Sequence, residues 1–203
     1  MNLLEIKLIL TPLLIAAATF AARRWGPVVG GLLAGLPLVS GPISVFLALE
    51  QGPAFAARAG QGTLLGLIAL VAFCAVYARA ANRFPWPAAL TGGVAIYALS
   101  AWALTSLTTG VAVTVLIVFA LVCIALWIVG DPPAQSGASS LPGWDLPLRM
   151  LAATALVLLI TGLSSRLGAT WSGLLAPFPV FTSVMAVFSH RQSGAAAAQQ
   201  LLR

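Results

Sequence analysis

Hydroxyl, glycine and proline residues set together inside apolar runs are the features of this chain best suited to binding chemistry. Gly35-Leu36-Pro37-Leu38-Val39-Ser40-Gly41-Pro42 interrupts one such run, with Ser44 two residues on. Pro177-Phe178-Pro179, followed by Thr182-Ser183, interrupts another. Proline removes a backbone donor and its ring clashes with the preceding turn, so Pro37, Pro177 and Pro179 are predicted helix breaks. A half-helix starting at Ser40 as N-cap, with Pro42 in its first turn, offers bare N–H groups and a partial positive charge. That end suits an anionic group. Ser40, Gly41, Pro42 and Ser44, with Thr182 and Ser183, are therefore the candidate substrate-binding residues. The competing reading is a packing kink, since proline is common in membrane helices.

Glu50 is the acidic residue nearest the first break and the candidate titrating group. His190 is the one histidine and stands at the end of an apolar segment. No paired intramembrane carboxylates, His/Cys cluster, phosphate loop or Ser/His/Asp set is legible. The sequence thus predicts no catalytic residues, no metal site and no cofactor, and the chain is not read as an enzyme.

These residues must be positioned by lipid-embedded helices. Of 203 residues, 61% are hydrophobic and 7% charged, with a mean hydropathy of +1.05. A soluble domain carries about a quarter charged residues, so lipid is the solvent. The net charge of +6 comes from basic residues standing singly or in pairs between apolar segments, as loop residues do, and not from a nucleic-acid surface.

Seven spans are read: Leu8–Ala22, Pro27–Leu49, Gly62–Ala80, Trp86–Leu107, Val111–Val129, Leu148–Leu163 and Ala169–Ser189. Residues 131–147 form the one linker-like segment, with Asp131-Pro132-Pro133 and Pro142-Gly143. Arg23, Arg24, Arg79, Arg83, Arg149, Arg191 and Arg203 collect on one side, against Lys7, Arg58 and Arg166 on the other. That asymmetry puts the larger set in the cytoplasm and the N-terminus in the periplasm.

An internal repeat organises the spans. A shift of 142 lays residues 1–61 on 143–203 with fifteen identical pairs, among them Gly31-Leu32-Leu33-Ala34-x-x-Pro37 on Gly173-Leu174-Leu175-Ala176-x-x-Pro179. Lys7 meets Arg149, Ser40 meets Thr182 and Gly52 meets Gly194. The expected domains are a first repeat of five helices over 1–130, the linker 131–147 and a partial second repeat of two helices over 148–203. Five spans are odd, so the second copy enters the membrane inverted, as in many secondary transporters. Its missing spans imply either truncation of a ten-span architecture or completion by a homodimer or other membrane subunits.

The run Gly31-Leu32-Leu33-Ala34-Gly35-Leu36-Pro37-Leu38-Val39-Ser40, with Glu50-x-Gly52 beyond it, resembles the GlpM-like small bacterial inner-membrane proteins. The resemblance covers about 40 residues around the second span and implies a bacterial inner-membrane location. The expectation is an all-α, polytopic transmembrane helix bundle of about seven spans with an incomplete inverted repeat. Its expected function is secondary transport, or lipid-carrier flipping, of a small anionic solute. The alternative is a non-transporting subunit that scaffolds a larger membrane complex. Membrane lipids are its expected partners, and nucleic acid is not.

Overall fold

A computed structural model describes residues 2–25, 39–107, 109–130 and 144–202. They fold into helices, as backbone in lipid must when no water satisfies its polar groups. In order these are α1 (Leu3–Trp25), α2 (Ser40–Gln51), α3 (Pro53–Ala81), α4 (Trp86–Leu104), α5 (Val111–Val129), α6 (Asp145–Leu175), α7 (Val180–Ser193) and α8 (Ala195–Leu202). Among the described residues four helices are long and apolar enough to cross a membrane: α3, α4, α5 and α6 from Leu146 on.

The expected third, fourth and fifth spans correspond to α3, α4 and α5, although α3 starts at Pro53 rather than Gly62. Residues 53–61 carry Arg58 and Gln61 and so fall outside an apolar count, yet they continue the helix. The sixth and seventh spans are divided differently from the expectation. α6 runs on to Leu175, kinked at Gly168 (φ 76°, ψ 170°), and takes the first residues of the seventh segment with it. α2 has 12 residues and α7 has 14. At 1.5 Å per residue neither covers a hydrocarbon layer about 30 Å thick. Pro37, residues 26–38 and nearly all of the linker lie outside the described residues.

The chain divides into two compact units, Met1–Thr63 with Pro142–Pro177, and Leu64–Leu141 with Phe178–Arg203. In the first, Ile43, Phe46 and Leu47 of α2 pack with Ala59 of α3 and Val157 and Ile160 of α6. Leu3, Ile6 and Leu10 bring one face of α1 to this core. Gly62 and Gly173 let α3 and α6 meet backbone to backbone. A Cβ on Gly173 would collide with the Ala59 carbonyl, and one on Gly62 would stand 2.6 Å from the Thr170 carbonyl oxygen.

In the second unit α4 buries Ala89, Gly93, Tyr97 and Ala101, one residue per turn. The Phe73 ring of α3 lies against Gly93, 2.9 Å from where a Cβ would stand. Tyr97 meets Phe178 edge to face at 5.1 Å. α5 is different, since Thr114 is its one fully buried residue and Leu116, Phe119 and Trp127 are 69%, 70% and 84% exposed. A helix apolar on every side and uncovered by the described residues belongs in lipid.

Helix boundaries recur at the offset of 142. α1 begins at Leu3 and α6 at Asp145. α6 leaves helical geometry at Gly168, the counterpart of Gly26 in the repeat. α2 and α7 end at Gln51 and Ser193, are capped by Gly52 (φ 87°) and Gly194 (φ 84°), and pass at once into α3 and α8. The Gly52 N–H bonds the Ala48 carbonyl at 3.1 Å, and the Gly194 N–H bonds the His190 carbonyl at 3.2 Å. With φ positive and ψ near 180°, both positions are open essentially to glycine alone.

Candidate functional site

The first unit holds a buried charge. Lys7 shares the inward face of α1 with Leu3, Ile6 and Leu10 and is 4% exposed. An ammonium in that setting must find an anion and acceptors. Its Nζ lies 2.5 Å from Glu50 Oε1 and donates to Thr161 Oγ1 at 2.8 Å. It also stands 5.5 Å from the centroid of the Phe46 ring, one turn before Glu50 on α2. The Thr161 hydroxyl donates to the Val157 carbonyl at 2.7 Å, which leaves its lone pairs for the ammonium. Ser164 donates to the Thr161 carbonyl at 2.8 Å. Three helices therefore supply one site, with Lys7 from α1, Glu50 from α2 and Thr161 from α6.

The site is asymmetric, because the Lys7 side chain is 5% exposed and that of Glu50 is 26% exposed. The cation is sealed and its counter-ion faces outward. An anion entering beside Glu50 would meet the carboxylate that balances the Lys7 charge. One turn further along α1, Thr11 is fully buried and its hydroxyl has no partner among the described residues.

The residues expected from the sequence fall around α2 and α7. The cap of α2 is Val39 (φ −103°, ψ −49°), without a side-chain capping bond, so Ser40 is the first helical residue and not the cap. Pro42 is buried in the first turn, where its missing donor costs no helical bond. The Ser44 hydroxyl donates to the Ser40 carbonyl at 2.9 Å. Ser40 and Glu50 stand at opposite ends of α2, about 15 Å apart along its axis. The structure thus brings Lys7 and Thr161 to Glu50, but not Ser40.

Pro177 and Pro179 lie in the short connection between α6 and α7. There the Val180 N–H bonds the Phe178 carbonyl at 2.7 Å, and Pro179 caps α7 without a side-chain bond. Thr182 and Ser183 sit in the first turn of α7, and the Ser183 hydroxyl donates to the Val180 carbonyl at 3.0 Å. Thr182, Ser183 and Pro179 belong to the second unit, while Ser40, Gly41, Pro42, Ser44, Glu50 and Pro177 belong to the first.

Lys7 and Thr161 are the functional candidates that the sequence reading passed over. Lys7 reads as a loop charge when spans are counted from Leu8. The signal that could have found it is its place between Ile6 and Leu10 on an apolar face. Thr161 carried a fainter mark, being identical to Thr19 in the repeat.

In the second unit His190 meets the Tyr77 ring edge-on at 6.2 Å. The Tyr77 hydroxyl and His190 Nδ1 are both buried, without a hydrogen-bond partner among the described residues. Burial pulls the imidazole pKa below its ordinary value, because it disfavours the charged form. Gln199 of α8 donates to the Ala78 carbonyl at 2.8 Å. Among the described residues no three His, Cys, Asp or Glu side chains gather as a metal would require.

Fold and site together define a class: a protein helical through its described residues, with several helices fit to span a membrane and, among those residues, one ion pair whose lysine is buried. No protein-family model, curated protein or solved structure matches the chain.

Proposed function

We propose that this chain is a multi-pass protein of the bacterial inner membrane that moves a small anionic solute, either as a secondary transporter or as a flippase for a lipid carrier. The observation that carries this reading is the buried Lys7, held by Glu50 and Thr161 and open only on the glutamate side. An ionisable residue kept within membrane helices is expensive and marks a solute or ion path. A solute carboxylate or phosphate takes the place of Glu50 on the Lys7 ammonium. Glu50, released at the exposed side, is then free to take up a proton, which couples solute to proton. Within the first unit the start of α2 at Ser40-Gly41 contributes backbone amides to the route.

The inverted repeat belongs to the same proposal. The recurring glycine-capped junctions at Gly52 and Gly194 support two copies of one design. Seven crossings would turn the second copy over and set the N-terminus in the periplasm. The resemblance to GlpM-like proteins agrees with an inner-membrane location. A second reading, a scaffold subunit, is favoured by the exposed apolar surface of α5.

The test is purified protein in sealed vesicles carrying a pH-sensitive dye, challenged in turn with acetate, lactate and inorganic phosphate. Wild type should speed acidification with at least one anion, and Glu50→Gln and Lys7→Gln should abolish the gain. Flux equal to that of empty vesicles for every anion would return the scaffold to first place. Asn2→Cys and Gln200→Cys, in a background lacking Cys74 and Cys123, should label from opposite faces. Labelling from one face would end the seven-span reading.

A further inference from the structure

The second unit carries a cavity of about 610 Å³ at the end of α3, lined also by the end of α5 and by Gln199 of α8. Its volume is that of a small-molecule site. Two arginines, Arg79 in the last turn of α3 and Arg83 in the turn that follows it, stand at it. Arg79 is fixed there by a 2.9 Å bond from Nη1 to the Ile128 carbonyl at the end of α5. Arg83 is exposed and makes no side-chain hydrogen bond or ion pair among the described residues. Back along α3 the lining turns apolar through Ala80, Val76 and Ala75, facing Ile128 and Val129. The cavity is thus charged at one end and greasy at the other.

Among the described residues of this unit no carboxylate answers those charges. Its one acidic residue, Asp131, lies outside the described residues, whereas Arg79, Arg83 and Arg191 are all described. Arg191 spends its charge on the Trp86 ring, 5.6 Å from the centroid. Two cations over an apolar cleft call for an anion that carries its own hydrocarbon.

We infer that this cavity binds an anionic phospholipid, with the phosphate at Arg79 and Arg83 and the first part of an acyl chain along Ala75, Val76 and Ile128. The membrane supplies this ligand at the level of the arginines, and basic pockets between spanning helices hold such headgroups. Asn82, beside Arg83, adds an amide for the glycerol or headgroup oxygens. The site rests on the second unit alone and holds whether or not the chain transports.

The test is the full-length protein in an uncharged detergent, titrated with phosphatidylglycerol, with phosphatidylcholine of the same chains and with inorganic phosphate. Binding is read by native mass spectrometry and by the rise in unfolding temperature. Phosphatidylglycerol should bind in preference to phosphatidylcholine. Arg83→Gln should weaken it roughly fivefold, and Arg83→Lys should keep most of the affinity. Arg79→Gln with Arg83→Gln should erase the preference. Equal binding of the two lipids, or undiminished phosphatidylglycerol binding in Arg83→Gln, overturns the proposal. So does inorganic phosphate that displaces the lipid at comparable concentration, since the hydrocarbon would then contribute nothing. Arg83 holds no side-chain bond, so its single variants decide the matter even if the double variant fails to fold.

Discussion

The two units treat charge in opposite ways. The first brings a lysine inside and neutralises it with the chain's own carboxylate, a hydroxyl and an aromatic face. The second keeps Arg79, Arg83 and Arg191 at the surface and, among the described residues, gives them a carbonyl, nothing and an aromatic ring in turn. Their close contacts differ too. In the first, glycines bring backbone against backbone at Gly62 and Gly173, while in the second a glycine receives a ring, Phe73 on Gly93. Charge answered within the fold makes that fold depend on each partner. Charge left at the surface depends on what the surroundings bring.

The sharpest way to break this comparison is to remove Glu50. Glu50→Ala leaves the Lys7 ammonium buried and unanswered and should destabilise the protein by about 3 kcal/mol, the low end for a broken buried pair because Glu50 keeps some solvent. Lys7→Met with Glu50→Leu should recover most of that loss, so unfolding of both single variants and the double variant in detergent measures the coupling. Additive losses would show that the pair does not act as one unit. Next comes Gly173→Ala, whose methyl meets the Ala59 carbonyl, and overpacking against backbone should cost about 3 kcal/mol. Gly93→Ala presses only on the Phe73 ring, which can shift, and should cost about 1 kcal/mol. Similar losses at the two glycines would erase the distinction between the contacts. The capping glycines should be alike across the copies, with Gly52→Ala and Gly194→Ala each costing about 1–2 kcal/mol for a positive φ. The smallest effect belongs to Arg83→Gln, where the unfolding midpoint without added lipid should stay at the wild-type value.

Much of this fold could be read from the sequence, and for one reason. Apolar runs of spanning length mark α3, α4 and α5 because lipid admits little besides helix. Gly168 was legible as an interruption, but not that the chain resumes its helix as far as Leu175. Nor did composition show that α2 begins at Ser40 and has 12 residues, since the run before it is just as apolar. At the site, Glu50 stood out as an acid near a proline-rich run. Its partners did not, because Lys7 lies 43 residues away and Thr161 lies 154 residues from Lys7. Those separations are closed by packing, which no local pattern encodes. Lys7 counts toward topology as a loop charge, and only its neighbours on the α1 face show that it turns inward.

The Lys7–Glu50 pair also has a history in time. Lys7 leaves the ribosome before its counter-ion has been made, and at 5–20 residues per second the 43-residue gap lasts a few seconds. During that interval α1 carries an unanswered ammonium on its apolar face and cannot settle deeply into the bilayer. Synthesis of α2 supplies the carboxylate that answers it. Thr161 arrives much later, when α6 is laid over a partnership already made. α5 needs no such wait: its mean hydropathy of 3.1 lets it partition alone. Within one short chain, some helices are sorted by the membrane itself and others by the company they must keep.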